Sequence, residues 1–171
     1  MRASKNLVKR AESIKFLLLD VDGVLTDGLI YMDGDGKETK AFHIHDGHGL
    51  YQLQDAGIRV GLVSGRASRV IDFRAKELGI TEAHQGVSNK LPVYLDILKR
   101  YKLQDEQMAY VGDDVIDIPI LERAGLAIAV ANAVKQVKAK AHMVTVRSGG
   151  QGAVREVADF LLYAQNRVEH R

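Results

Sequence analysis

The sequence predicts an α/β fold: a doubly wound, mainly parallel sheet with helices on both faces and one inserted β-hairpin. Three observations predict it. Five short runs are almost continuously apolar, the mark of strands buried on both faces. Stretches with helical periodicity separate them. Polar and acidic residues gather where the runs end, as expected where a parallel sheet carries its site.

The apolar runs are "IKFLLLD" (14–20), "RVGLVSG" (59–65), "MAYVGD" (108–113), "LAIAVA" (126–131) and "HMVTV" (142–146). Helical periodicity covers 48–56, 67–78, 90–101, 117–124, 134–140 and 153–165. Gly57, Gly79 and Gly125 follow three of these helices, where a left-handed terminal residue is expected. "GLIYMDGDGKETKAFHI" (28–44) breaks the alternation: two strand-like runs flank "DGDG" (33–36), a turn signal, so a hairpin is expected between the first strand and its helix. "SGGQG" (148–152) reads as a flexible loop before the last helix.

With 171 residues, one domain spanning 1–171 is expected. A net charge of +2 with scattered basic residues gives no reason to expect nucleic acid or an anionic membrane as partner. No cysteine is present, so no disulfide framework or thiolate metal site is possible. The charged start "MRASKNLVKRAESIK" lacks the apolar core of a signal peptide, and no apolar run approaches the roughly 20 residues of a membrane span. A cytoplasmic protein is expected.

The chemistry lies at the run ends. Asp20 and Asp22 close the first run, Ser64, Gly65 and Arg66 the second, and Asp113 and Asp114 the third, with Asp117 shortly after. Carboxylates this dense repel one another and need a cation or protons. A hard divalent ion such as Mg²⁺ takes oxygen ligands. Asp20 and Asp113 supply two of them, while Asp114 and Asp117 either join directly or through water, or cap the following helices. Asp27 reads as a turn residue. "SNKLPVYLDILKR" (88–100) places Lys90 at a helix start, with Pro92 in its first turn. That is an anion site, and Ser64 offers a hydroxyl to the same anion. Carboxylate, metal, hydroxyl and ammonium around one point suit phosphoryl transfer.

These residues resemble the haloacid dehalogenase superfamily. Its four signatures occur in order: "DVDGVLTDG", Ser64 in "LVSGR", Lys90 in "SNK" and "GDDVID" at 112–117. The resemblance implies a Mg²⁺-dependent phosphatase in which Asp20 is the nucleophile, Asp22 the acid and base, and Ser64 and Lys90 hold the phosphoryl oxygens. Asp20, the backbone carbonyl of Asp22, and Asp113 would bind the metal. No large cap domain fits between Gly28 and the second run, so neighbouring subunits would screen the site.

Further stretches, "KAFHIHDGHGL", "QGVSNK" and "GGQGAVREVADFLLYAQ", are similar to a narrower group. Its members are tetrameric phosphatases acting on an eight-carbon sugar-acid phosphate of lipopolysaccharide synthesis. That implies a sugar-phosphate substrate and a homotetramer assembled through the hairpin, with Leu29, Ile30, Tyr31 and Phe42 exposed on it. It implies substrate contacts from Asp22, His43, Ile44, His45, Asp46, Gly47, Tyr51, Arg66, Arg74 and Lys90. Two residues depart from the group: His45 and Tyr51 stand where arginine is usual. A related nine-carbon sugar acid, or small phosphomonoesters generally, are the alternative substrates. A non-catalytic oligomeric scaffold is the alternative of another class.

Three further motifs carry less. On a strand, His43 and His45 would share a face, as zinc ligands do, but further ligands are missing. "DGDG" lacks the distal glutamate of a calcium loop, and "SGGQG" lacks the Lys-Ser/Thr pair of a P-loop.

Overall fold

The computed structural model describes residues 4–166. Strand β1 (Phe16–Leu19) is central and fully buried. A small antiparallel pair follows, β2 (Tyr31–Met32) and β3 (Glu38–Thr39). Then come β4 (Arg59–Val63), β5 (Glu82–His84), β6 (Met108–Gly112), β7 (Leu126–Ala129) and β8 (Met143–Val144). The main sheet has the order β5-β4-β1-β6-β7-β8 and every pair is parallel. The chain therefore steps from β1 outward through β4 to β5, then returns across β1 to β6. This reversal leaves a crevice beyond the carboxyl ends of β4, β1 and β6, where open α/β sheets bind ligands.

The helices are α1 (Lys5–Glu12), α2 (Ile44–Asp55), α3 (Arg69–Glu77), α4 (Leu91–Tyr101), α5 (Ile118–Leu121), α6 (Lys135–Lys138) and α7 (Ala153–Ala164). Right-handed crossovers put α2 and α3 on one face and α4, α5 and α6 on the other. Helices α1 and α2 both pack against α7. The core is aliphatic, centred on Phe16 to Leu19 and Met108 to Val111, with Tyr94 and Tyr110 as its largest side chains.

Several elements differ from expectation. Helix α1, which no expectation covered, is amphipathic, with Leu7, Val8 and Ala11 against the core; Ser4 starts it, its hydroxyl accepting from Leu7 N–H at 3.2 Å. Helix α2 starts at Ile44 rather than 48, capped by the His43 ring. His43 and His45 thus sit on a helix start, not a strand, with rings edge-on at 5.0 Å. Gly57 and Gly79 are left-handed (φ +81° and +66°), but Gly125 is not. Glycine is required there because a Cβ would collide with the Glu106 backbone. The "SGGQG" segment is packed rather than loose: a Cβ on Gly149 would strike the Gly23 carbonyl. Asn132 ties the two loops, donating to Gly23 O at 2.9 Å and accepting from Gly149 N–H at 2.7 Å.

The hairpin is shorter than expected, two residues per strand. Asp33 builds its turn by accepting from the N–H groups of Asp35 and Lys37 at 3.0 and 2.8 Å. Asp27 shapes the approach, accepting from Leu29 N–H at 3.0 Å and Tyr31 OH at 2.6 Å. Those bonds hold its carboxyl below the usual range. Leu29, Ile30, Tyr31 and Met32 are exposed. Phe42 is not; it is half-buried under the Arg74 guanidinium, 5.4 Å from the ring centre.

Candidate active site

Each strand that meets the crevice delivers one polar group as it ends. Asp20 follows β1, Ser64 follows β4, and Asp113 follows β6. Asp20 Oδ1 accepts from Val21 N–H at 2.7 Å and from Lys90 Nζ at 2.8 Å. Ser64 is buried; its backbone N–H donates to His84 O at 2.8 Å, and its Oγ accepts from Arg66 N–H at 3.1 Å. Gly23 is left-handed at φ +90°, and a Cβ there would overlap the Asp113 carboxylate. Glycine lets the loop after β1 lie against the end of β6.

Asp117 is wholly buried and holds this cluster from behind. Its Oδ1 accepts from Lys90 Nζ at 2.8 Å and Tyr110 OH at 2.6 Å. Its Oδ2 accepts from the N–H groups of Asp113 at 3.0 Å and Asp114 at 3.2 Å. Four donors use up a carboxylate's acceptor capacity. Burial alone would pull the Lys90 ammonium down, but Asp20 and Asp117 outweigh it and raise its pKa. Asp114 is exposed and caps the turn after β6, accepting from Val115 N–H at 2.7 Å.

One oxygen from each of Asp20, Asp113 and Asp117 lies within 4.8 Å of the others. Desolvation, then the mutual repulsion of these groups, raises the pKa of Asp113, and desolvation raises that of Asp20. Asp113 Oδ1 and Asp22 Oδ2 are buried and have no hydrogen-bond partner among the described residues. Unused hard oxygens beside surplus negative charge fit a divalent cation such as Mg²⁺.

The expected substrate residues divide into two groups. Asp22, Ser64, Arg66 and Lys90 stand around the crevice, with Arg66 exposed and bonded to Glu38 at 3.1 Å. The others lie at the start of α2, on α2 and on α3, and several are bonded elsewhere. Asp46 accepts from Arg155 N–H at 2.7 Å, capping α7. Tyr51 OH donates to the Glu77 carbonyl. Arg74 pairs with Glu77 at 2.9 Å and lies against Gly47, leaving no space there for a Cβ. His43 caps α2, Ile44 is exposed, and His45 edges a groove of about 850 Å³ along α7 with Arg147 and Arg155.

Sequence reasoning missed Tyr110, Lys40 and Glu38. Tyr110 sits in an apolar run and reads as core. Lys40 is buried, its Nζ donating to Asp22 Oδ1 and lying 3.1 Å from Glu38 Oε1. No local pattern marks a buried lysine; only the alternation of Glu38 and Lys40 on one strand face was available.

Comparison with known proteins places this fold and site in a class. Residues 83–157 match the haloacid dehalogenase-like hydrolase family. The 3-deoxy-D-manno-octulosonate 8-phosphate phosphatase of Yersinia pestis is 46% identical over 164 residues, 96% of this chain and 88% of the relative. A crystal structure of the Yersinia pestis phosphatase superposes with a TM-score of 0.96, at 45% identity, covering 98% of this chain and 91% of that one. The Moraxella catarrhalis phosphatase, solved with magnesium, phosphate and a KDO molecule, gives 0.94 at 40% identity, covering 96% and 94%. The chain belongs to this phosphatase family.

Proposed function

We propose that the protein hydrolyses 3-deoxy-D-manno-octulosonate 8-phosphate to the free sugar acid and phosphate, with Mg²⁺ as cofactor. One observation carries the proposal: β1, β4 and β6 each end in a residue of one crevice, in a chain 46% identical to a phosphatase so named.

Asp20, Asp113 and the backbone carbonyl of Asp22 would hold Mg²⁺, which offsets the crowded carboxylates and charge on the transferring phosphoryl group. Asp20 attacks phosphorus, forming an aspartyl phosphate as the bond to the sugar oxygen breaks. Asp22 gives its proton to that oxygen. It then takes a proton from water, whose oxygen attacks phosphorus and frees Asp20. The net result is water split between alcohol and phosphate. Lys90 and Ser64 hold the phosphoryl oxygens, and Lys90 is pre-set by Asp117. Arg66 at the rim would receive the sugar carboxylate, while Tyr51 and Arg74 are held by Glu77 and His45 edges the groove along α7.

The exposed run Leu29 to Met32 supports a homotetramer packed through the hairpin, since monomers seldom leave such a patch open. A screen of sugar phosphates with Mg²⁺ tests the substrate. The octulosonate phosphate should exceed neutral hexose phosphates in kcat/KM; equal or better hydrolysis of the hexose phosphates would refute the assignment. His45 and Tyr51 make nine-carbon sugar-acid phosphates the closest comparison.

A further inference from the structure

We propose that Lys40 is a positioning residue for the proton-transfer step: it fixes the Asp22 carboxyl so that Oδ2 faces the reacting group. The inference rests on the phosphatase reading above.

Burying an ammonium is expensive unless carboxylates surround it. The Lys40 side chain is only 2% exposed, and its partners are Asp22 and Glu38. Glu38 and Lys40 are two apart on an extended segment, so both point to one side, toward Asp22. Glu38 is itself held by Arg66 at 3.1 Å. Charges thus alternate along Asp22, Lys40, Glu38 and Arg66, and the chain of pairs anchors the ammonium from behind.

The consequence for Asp22 is geometric. A carboxyl rotates readily about its terminal torsion, which has broad and roughly two-fold preferences. With Oδ1 held by Lys40, that rotation is stopped. Oδ2 remains buried and without a partner among the described residues, so of the two oxygens it is the one left to carry the transferred proton. Lys40 touches neither Asp20 nor Asp113 in any hydrogen bond or ion pair among the described residues. Its effect should therefore fall on proton transfer rather than on nucleophilic attack.

The leaving group separates these effects. An alkyl phosphate needs its departing oxygen protonated, whereas 4-nitrophenyl phosphate releases a stable phenolate. The experiment compares kcat/KM, which reports the first transfer to Asp20, for the two ester classes in the Mg²⁺-loaded enzyme. Lys40→Met should lower kcat/KM for alkyl phosphates by about 10- to 100-fold and for 4-nitrophenyl phosphate by less than about 3-fold. Lys40→Arg should recover part of the alkyl activity, and Lys40→Met should add little to Asp22→Asn, as expected of residues acting as a unit. Equal loss on both esters, or none on either, overturns the inference. If Lys40→Met fails to fold, Lys40→Gln supplies the same comparison. Should the parent protein hydrolyse neither ester, the phosphatase reading falls as well; if it does and only the leaving-group selectivity is absent, Lys40 alone is misassigned.

Discussion

Two charged clusters sit at opposite ends of the same sheet, and they are built on opposite rules. At the amino end of β5, Glu82 accepts from the two terminal guanidinium nitrogens of Arg100 at 2.6 and 2.8 Å, and from Tyr101 OH at 2.6 Å. His84 adds a contact at 2.9 Å. Arg100 leads the causes that hold the Glu82 carboxyl down at about 2. At the carboxyl end of β1 and β6, carboxylates outnumber cations, and burial drives Asp20 and Asp113 upward instead. Two carboxylate oxygens there have no hydrogen-bond partner among the described residues. Saturated charge stabilises a fold; unsatisfied charge stores a binding capacity. The contrast marks the second cluster as the candidate site.

The sharpest way to break this contrast is to remove the carboxylate at the centre of the unsatisfied cluster. Asp20→Asn should abolish turnover, while thermal unfolding of the metal-free protein shows no loss of stability, because one repelling charge is gone. Retained phosphatase activity would contradict the role of Asp20.

Removing the proton donor is expected to be milder. Asp22→Asn should slow alkyl phosphate hydrolysis by about 10²- to 10⁴-fold in steady-state assays. Metal removal should mimic the stronger lesion: chelation eliminates activity and Mg²⁺ restores it. Mg²⁺ should also raise the melting temperature of the parent, by binding the folded state alone. Asp113→Ala should abolish that thermal shift, and a persistent shift would place the ion elsewhere.

The saturated cluster should answer differently, and with the smallest effect. Its folded pKa of about 2 lies below the ordinary glutamate value of 4.5. The stabilisation from Glu82 is therefore present above pH 4.5 and disappears as pH falls toward 2. Glu82→Gln should leave kcat at neutral pH unchanged and cost on the order of 1 kcal/mol, discounted because the guanidinium is partly solvated. Urea titrations between pH 5 and 2 should show a flatter acid limb than the parent.

Sequence reading reached the sheet and the crevice because both rest on local signals. A strand buried on both faces must be apolar throughout, so its polar end stands out, as Asp20, Ser64 and Asp113 do. Interactions between distant segments were not legible. Asp46 looked like part of a ligand-binding stretch, yet it caps α7, more than a hundred residues away in sequence. Lys40 carries no local signal of burial; it is buried because the hairpin folds back over Asp22. Asp117 is expected from sequence as a metal ligand, direct or through water, or as a cap; its four donors come from the start of α4, β6 and the following turn, a convergence no single stretch reveals. Gly125 followed a helix, but its reason is the neighbouring Glu106 backbone.

Phosphoryl transfer to one carboxylate in the unsatisfied cluster is open to direct chemical trapping. The Mg²⁺-loaded enzyme, turning over octulosonate 8-phosphate, is quenched with borohydride, which reduces an acyl phosphate to an alcohol. Peptide mass mapping should then find Asp20, and no other aspartate, converted to homoserine, with a higher yield in Asp22→Asn as hydrolysis of the intermediate slows. Conversion at Asp22 or Asp113 instead, or substrate-dependent turnover with no reducible aspartate, would contradict it.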